Sequence, residues 1–302
     1  MSIVVNTNIQ SLIGQNSLNK NTNSLNSTLE KLSTGLKINS AKDDAAGLGV
    51  VSLMTAQIRG NSQAMANIQD ATNLIQTAEG GLEIITDNIQ RIRELCIQAA
   101  NEIYDENSKQ SILNEIDQRL RIVDQIANTT NFNGKKLLDG NLASLYIQIG
   151  PNGDLAPAGQ TEPTQYLNAI DVAPSLTNGT SEGLGIAMKI TALGNANATH
   201  IDATTWTTQN VRDYIDKLDT ALTKISNDRS VMGAYMNAMD SAAANLTSIN
   251  ISLESARSTL LDADVATLSS DMVRYQILQQ TSTSVLAQAN QMPALALTLL
   301  GS

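Results

Sequence analysis

The sequence is poor in aromatic residues, with one phenylalanine, one tryptophan and an aromatic content of 3% in 302 residues. Large rings usually fill the centre of a compact enzyme domain, because each buries an extensive apolar surface. Their scarcity favours thin, aliphatic packing of helix against helix. The chain is long enough to form one large domain or two to three small ones with a sizeable core.

Positive charge and metal-binding residues are also scarce. The chain has 19 Lys and Arg against 29 Asp and Glu, a formal net charge of −10 and a pI near 4.6. Such a chain is repelled by phosphate backbones and anionic membranes, which argues against nucleic-acid binding. Cys96 is the only cysteine and His200 the only histidine. An internal disulfide framework and an HExxH metal site are therefore excluded, and we expect no cofactor.

Long apolar runs are missing as well. No stretch approaches the ~18 apolar residues that a membrane-spanning helix requires. The first residues, MSIVVNTNIQ, have no basic start and only a three-residue apolar run. We therefore predict no cleaved signal peptide of the general secretory type. The chain either stays in the cytoplasm or leaves it by a route that needs no such signal.

Apolar residues recur at intervals of three and four in two long blocks, one toward each end of the chain. This spacing is typical of amphipathic helices. The first block contains Leu18, Leu25, Leu29, Leu32 and Leu36, then Leu74, Ala78, Gly81, Ile85, Ile89, Ile92, Cys96, Ala99 and Ile103, then Ile112, Ile116, Leu120, Val123 and Ala127. The second contains Val211, Ile215, Leu218, Leu222, Ile225, Met232, Met236, Met239, Leu246 and Leu253, then Val265, Leu268, Met272, Tyr275, Leu286 and Ala289.

The region between the blocks, residues 141–205, has a different character. It holds four of the five prolines and many glycines, which interrupt helices. Two short runs alternate with a period of two, as half-buried strands do: Leu145, Ile147 and Ile149, and Leu184, Ile186, Met188 and Ile190. The predicted fold is mainly α, with a long antiparallel helical bundle or coiled coil formed by paired amino- and carboxyl-terminal segments and a small β-rich insert.

The two terminal segments carry few charges. Residues 1–40 contain four charged side chains but 19 Asn, Ser or Thr, and residues 263–302 contain three charges. One interpretation is that both segments are flexible polar tails. The other is that they are loosely ordered alone and become buried, helix against helix, in an assembly. The regular apolar spacing favours assembly.

Several ordered motifs give the chain a resemblance to bacterial flagellins. EKLSTGLKINSAKDDAAGLGV (residues 30–50) looks like their amino-terminal signature, and the similarity continues in NIQRIRELCIQAAN (88–101), EIDQRL (115–120) and NFNGKKLLDG (131–140). LDADVA (261–266) and QILQQTSTSVLAQANQMP (276–293) resemble the flagellin carboxyl terminus. The resemblance covers residues 1–140 and 210–302.

The resemblance implies a structural subunit, without catalytic activity, that polymerises into the flagellar filament used for swimming. Residues 1–40 and 259–302 would form paired inner-tube helices, and 41–140 with 206–258 a surrounding shell. Residues 141–205 would be a short variable insert with little or no separate outer domain. The inner-tube packing residues would be Leu18, Leu25, Leu29, Leu32, Val265, Leu268, Met272, Tyr275 and Leu286.

The same resemblance implies a set of partners. They are further copies of the chain, the flagellar export apparatus, a flagellin-specific secretion chaperone, the filament cap and the hook-filament junction proteins. The filament would be extracellular, with a periplasmic filament as the alternative. Neighbouring subunits and, conditionally, the innate immune receptor Toll-like receptor 5 would contact Gln90, Arg91, Glu94, Leu95 and Glu115.

Two rival functions remain, one within the same structural class and one from another class. A hook-filament junction protein would share the paired termini and similar length, although the NSAKDDAAG stretch favours flagellin. A soluble enzyme would need a convergent polar cluster, and the sequence shows neither a G-x-S-x-G elbow nor a glycine-rich phosphate loop beyond a single Gly-x-Gly near Glu182. Cys96 lies on an apolar ladder, so a buried structural role is predicted for it.

Overall fold

The computed structural model describes residues 8–142, 144–153, 168–173, 176, 178–185 and 208–300. Its elements in chain order are α1 (Ile9–Thr34), α2 (Ala45–Ala99), α3 (Glu106–Thr129), β1 (Asn131–Phe132), β2 (Lys135–Lys136), β3 (Tyr146–Gln148), β4 (Ala169–Asp171), α4 (Thr208–Leu261) and α5 (Val265–Leu300). The chain divides into two compact units, and both α2 and α4 contribute to each of them. We call them the terminal unit (through Ile58 and again from Ile251) and the central unit (Arg59–Asn250).

The terminal unit is built on an antiparallel pair of helices, α1 and α5. The amino end of α1 is capped by Asn8, whose side-chain oxygen accepts a hydrogen bond from the Ser11 amide. The helix ends at Thr34, where Gly35 adopts a left-handed conformation with φ +69°, a frequent helix stop. The predicted apolar row therefore stops short of Leu36, which lies beyond the helix and forms an isolated bridge with Asp262.

The central unit has an aliphatic core. The predicted row Ile112, Ile116, Leu120, Val123 and Ala127 is buried on α3. Facing residues of α2 and α4 and apolar residues of the insert complete the same core, among them Ile75, Ile85, Ile89, Ile92, Leu138, Val172, Leu218 and Ile225. The spacing of three and four thus identified the buried sides of these helices correctly.

Two small antiparallel ribbons accompany the helices of the central unit. In one, β3 pairs with β4, with Ile147 opposite Ile170. This ribbon confirms the predicted strand around Leu145–Ile149. Of the second predicted strand, Leu184 is described and lies buried in a turn, whereas Ile186, Met188 and Ile190 lie outside the described residues.

The other ribbon, β1 with β2, was not predicted as a hairpin. Its two-residue turn is Asn133-Gly134, and both residues have positive φ, +49° and +79°. Asn-Gly is the dipeptide preferred for tight hairpin turns of this kind, because both positions tolerate the left-handed region. The signal was therefore present in the motif NFNGKK.

The predicted mainly α fold with paired terminal helices and a small β insert is confirmed. One residue of the α2 row was placed wrongly: Ile103 follows the helix, in the connection to α3, and is 87% exposed. The connection ends at Asp105, whose carboxylate accepts a hydrogen bond from the Ser108 amide and caps α3. None of the described helices has a stretch long and apolar enough to cross a membrane.

Candidate assembly surfaces

A covered row on each terminal helix forms the contact between α1 and α5. On both helices the buried and half-buried residues recur with alternating spacings of three and four, the pattern of an antiparallel coiled-coil seam. On α1 the row is Ser11, Gly14, Leu18, Asn21, Leu25, Thr28 and Leu32, and on α5 it is Leu268, Met272, Tyr275, Gln279, Ser282, Leu286 and Ala289. We call this pair of rows the seam.

The seam is narrow and partly polar. A Cβ added at Gly14 would lie 3.2 Å from Leu286 Cδ1, so the two backbones approach closely there. Asn21 Nδ2 donates to Ser282 Oγ at 2.9 Å, and Gln279 Nε2 donates to Thr22 Oγ1 at 3.2 Å. Asn8 Nδ2 also donates to the carbonyl oxygen of Ala289 at 2.8 Å. Direction and register are thus set by polar contacts as well as by leucines.

The structure places most of the predicted inner-tube residues on the seam. Leu25 is buried, and six others are half-buried: Leu18, Leu32, Leu268, Met272, Tyr275 and Leu286. Leu29 and Val265 are different, since they are 41% and 56% exposed in the single chain. Their packing in an inner tube stays a prediction, because the α1 row of the seam passes through Thr28 and the α5 row begins at Leu268.

A second set of apolar residues on the terminal helices has no cover within the described chain. It comprises Ile9, Leu12, Ile13 and Leu29 on α1, and Val265, Val273, Ile277, Leu278, Val285 and Met292 on α5. We call these residues the open rows. Scattered exposed apolar residues are ordinary, but six along α5 and four on α1, three of these in its first turns, favour a surface for association.

The connections between the helices of the terminal unit are joined by backbone hydrogen bonds. The Lys37 amide donates to the Leu261 carbonyl (2.6 Å), and the Ala263 amide donates to the Gly35 carbonyl (3.0 Å). The breaks in the two helical runs therefore lie side by side. We call this paired break the junction.

Aspartates organise the turns around the junction. Asp43 Oδ2 accepts hydrogen bonds from the amides of Asn39 and Ser40 and from the Ser40 hydroxyl, and these lower the pKa of Asp43. Asp44 Oδ1 accepts from the Gly47 amide at the start of α2. Asp264 Oδ1 accepts from the amides of Ala266 and Thr267 at the start of α5. The Lys-Asp-Asp cluster of the sequence is thus a turn followed by a helix cap.

The predicted receptor and subunit contacts lie on α2 and α3 of the central unit. Arg91 Nη1 donates to Glu94 Oε2 at 2.7 Å, and its Nε lies 3.7 Å from Glu115 Oε1. The Glu94 hydrogen bond is the main reason why the pKa of Arg91 is raised. These three side chains form one charged cluster that reaches solvent. Gln90 is also exposed, but it lines a groove with Leu222 and Ser226 of α4.

Leu95 does not belong to that surface. It is 2% exposed and packs in the core of the central unit. A direct contact by its side chain is therefore corrected to a core role, and the physical reason is its position on the same side of α2 as Ile92 and Cys96.

Reactive chemistry finds no support in the described residues. They contain no group of three or more His, Cys, Asp or Glu placed to hold a metal ion. Burial raises the pKa of Cys96 to about 12, so its thiol is protonated and unreactive at neutral pH. His200 lies outside the described residues.

Comparison with known proteins identifies the family. The model of the bacterial flagellin N-terminal helical region matches residues 5–143, and that of the C-terminal helical region matches 215–300. The flagellin of Halalkalibacterium halodurans is 35% identical over 99% of this chain and 100% of its own length, and that of Xenorhabdus nematophila is 37% identical over the same shares. The chain belongs to the bacterial flagellin family. It is a structural subunit of a flagellar filament, not an enzyme.

A solved structure shares the fold at lower sequence identity. A putative flagellar hook-associated protein from Vibrio parahaemolyticus aligns with a TM-score of 0.54 and 12% identity, covering 73% of this chain and 100% of its own. At this identity the likeness concerns the fold alone.

Proposed function

We propose that the terminal helices α1 and α5 complete their packing only when subunits polymerise, so that folding and assembly reinforce each other. The observation that carries the proposal is the pair of open rows, which face solvent in the single chain. Burial of apolar surface contributes roughly 25 cal/mol per Å², and neighbouring copies supply the surface that one chain lacks. A symmetric helical assembly repeats the same contact at each step.

Electron microscopy and circular dichroism of the purified chain, before and after seeding or salting-out, test this proposal. Long tubular filaments together with a rise in helical signal are the expected result. A monodisperse, fully helical monomer that never forms filaments would contradict it and favour the hook-filament junction role.

The proposal assigns residues 1–40 and 259–302 to an inner tube, 41–140 and 206–258 to the shell, and 141–205 to a short insert. Supporting it, helices α1 and α2 are separated by the segment 35–44, and α4 and α5 by 262–264. The two compact units divide elsewhere, within α2 and α4. The compact units therefore describe packing in one chain, whereas the assignment to tube and shell concerns the polymer.

Export and location follow from the same role. A subunit of an external filament passes through the flagellar export apparatus, is kept from polymerising early by a secretion chaperone, and is added beneath the filament cap, beyond the junction proteins. We place the filament outside the cell, with the periplasm as the alternative. Antibody labelling of intact and of outer-membrane-permeabilised cells separates the two, since an external filament is labelled without permeabilisation.

We further propose that Gln90 and the cluster of Arg91, Glu94 and Glu115 contact neighbouring subunits, and that they engage Toll-like receptor 5 where the monomer meets a vertebrate host. The cluster is exposed and rigidly based on two packed helices. Arg91→Ala is expected to lower receptor signalling by the monomer several-fold. Arg121→Ala is the matched control, because Arg121 also forms a helical ion pair, with Asp117, at 2.9 Å. Equal signalling by both variants, or none by the parent, would contradict the receptor proposal.

A further inference from the structure

A pair of asparagine amides, Asn61 buried and Asn250 half-buried, joins α2 to α4 at one end of the central unit. The two helices run antiparallel, as three side-chain contacts show: Arg93 to Asp219 at 2.7 Å, Arg229 to Glu79 at 3.3 Å, and Asn61 Nδ2 to Asn250 Oδ1 at 2.8 Å. The first two are partly exposed ion pairs. The third is different, since Asn61 is only 1% exposed.

The surroundings of this pair are apolar and closely packed. Ala64 and Ile68, one and two turns along α2, belong to the core, as does Leu246, one turn before Asn250 on α4. Met65 and Thr247 touch at the next level, with the Thr247 hydroxyl 3.5 Å from the methionine sulfur. Gly60 lies against Pro151, where an added Cβ would approach the proline Cβ to 2.8 Å. Side chains on both helices and the insert thus fix the position of this part of α2.

The amide pair does not maximise stability. Asn61 Oδ1 is buried and has no hydrogen-bond partner among the described residues, so the side chain satisfies only part of its capacity. A buried polar atom without a partner costs stability relative to an apolar side chain of similar size. An amide pair in an otherwise apolar helix interface is known instead as a means of fixing register.

The residues that flank Asn250 on α4 determine which side chains would meet Asn61 after a change of register. A slip of one turn would bring Asn61 opposite the sequence position of Leu246 in one direction and of Leu253 in the other. Either slip would leave both amides without each other and one of them against a leucine. Burial of leucine, isoleucine and alanine is less directional than an amide hydrogen bond, so it specifies register less strictly.

We propose that Asn61 and Asn250 set the axial register of α2 against α4, and so specify one conformation of the central unit. This inference rests on the proposed function for its consequence: every subunit offers its neighbours α2 and α4 in the same register. The register itself is a property of the single chain and is measured there. A failure of polymerisation is therefore distinguishable from a failure of the register argument.

The test uses Asn61→Leu, Asn250→Leu and the double variant in the full chain with Cys96→Ala. Spin labels are attached to cysteines placed at Gln69 on α2 and Asn227 on α4, two exposed positions that are axially offset. A slip of one turn is about 5.4 Å along the helix axis. The parent is expected to give one narrow distance, and the double variant a second or displaced distance shifted by about 4–5 Å.

The unfolding equilibria of the same variants are measured as the second part of the test. Asn250→Leu leaves the buried Asn61 amide unpaired and is expected to raise the unfolding equilibrium constant on the order of tenfold. Asn61→Leu leaves the half-buried Asn250 amide, which water can reach, and is expected to cost less. The double variant is expected to recover most of this loss. The matched control replaces two exposed amides of the same helices, Gln76→Leu with Asn237→Leu, and should leave the distance unchanged. A double variant that retains the single parental distance would overturn the proposal, whatever its stability.

Discussion

Apolar residues recur at the same spacing in the central unit and in the terminal pair of helices, but one chain covers them to different extents in the two regions. In the central unit the row on α2 is covered, with Ile75, Leu82, Ile85, Ile89 and Ile92 almost fully buried. In the terminal pair the seam includes Ser11, Gly14 and Thr28 on α1, and larger apolar residues of both helices remain open. Periodicity alone therefore identifies a helix face that will be covered, but it does not tell whether one chain can cover it.

The largest expected effect comes from removing one member of the terminal pair. Deletion of residues 263–302 takes away α5, half of the seam and half of the open rows. We expect a soluble, helical monomer that does not polymerise, because the core of the central unit lies wholly within residues 64–246. Electron microscopy and circular dichroism are the measurements. Normal filaments from the truncated chain would refute the inner-tube assignment.

The second prediction sharpens the contrast by creating a cavity in the central unit. Ile85 is fully buried, whereas its neighbour Ile84 is 52% exposed. Ile85→Ala is expected to lower the free energy of unfolding by about 2–5 kcal/mol, since the lost contacts leave a void. Ile84→Ala, the matched control, should change it by about 0.5 kcal/mol or less. Chemical denaturation of the monomer measures both, and similar losses would show that this core is not closely packed.

The third prediction separates the seam from the open rows. Val285 lies on the open row of α5 and Leu286 on the seam. Val285→Ala is expected to leave monomer helicity unchanged and to weaken the filament by about 1–2 kcal/mol per subunit, because valine burial occurs only in the polymer. Leu286→Ala should reduce the helicity of the terminal pair in the monomer as well. The critical concentration for polymerisation measures the effect on the filament, and circular dichroism measures the helicity of the monomer. Reduced monomer helicity in Val285→Ala would contradict the separation of seam and open rows.

The smallest expected effect is a loss of helicity in the terminal pair at acid pH. Hydrogen bonds from the Thr267 hydroxyl and from the Thr267 and Ala266 amides lower the pKa of Asp264 below its ordinary value of 3.8. A carboxylate with a lowered pKa stabilises the folded state above that ordinary value, and the contribution is lost as the pH falls through the folded-state pKa. The terminal pair should therefore lose helicity at pH values below about 4.

Asp264→Asn tests the acid effect, since asparagine caps a helix but carries no titrating group. We expect its helicity to fall less steeply between pH 5 and 2 than that of the parent. Asp271→Asn, a change on the same helix at a residue paired with Arg274, serves as control. Identical acid titrations of the parent and Asp264→Asn would remove Asp264 from the explanation.

Helices, their buried sides and the paired termini were predictable because they depend on local spacing and on burial within one chain. The seam was only partly predictable, since its α1 row runs through small and hydroxyl-bearing residues such as Thr28 and Gly14, which carry little hydropathy signal. The burial of Leu95 was missed because the resemblance assigned it a surface role that its own apolar spacing contradicts. The Asn61–Asn250 pair could not be found from sequence, as it joins two polar residues on distant segments.

The junction has a consequence for the order in which the chain acquires its structure. Its two hydrogen bonds join Gly35 and Lys37 to Leu261 and Ala263, segments roughly 220 residues apart. They form only after both segments have been made. During synthesis on the ribosome, α1 emerges first and waits until α5 has been made. Throughout that interval its seam is available to any partner that binds an unpaired amphipathic segment.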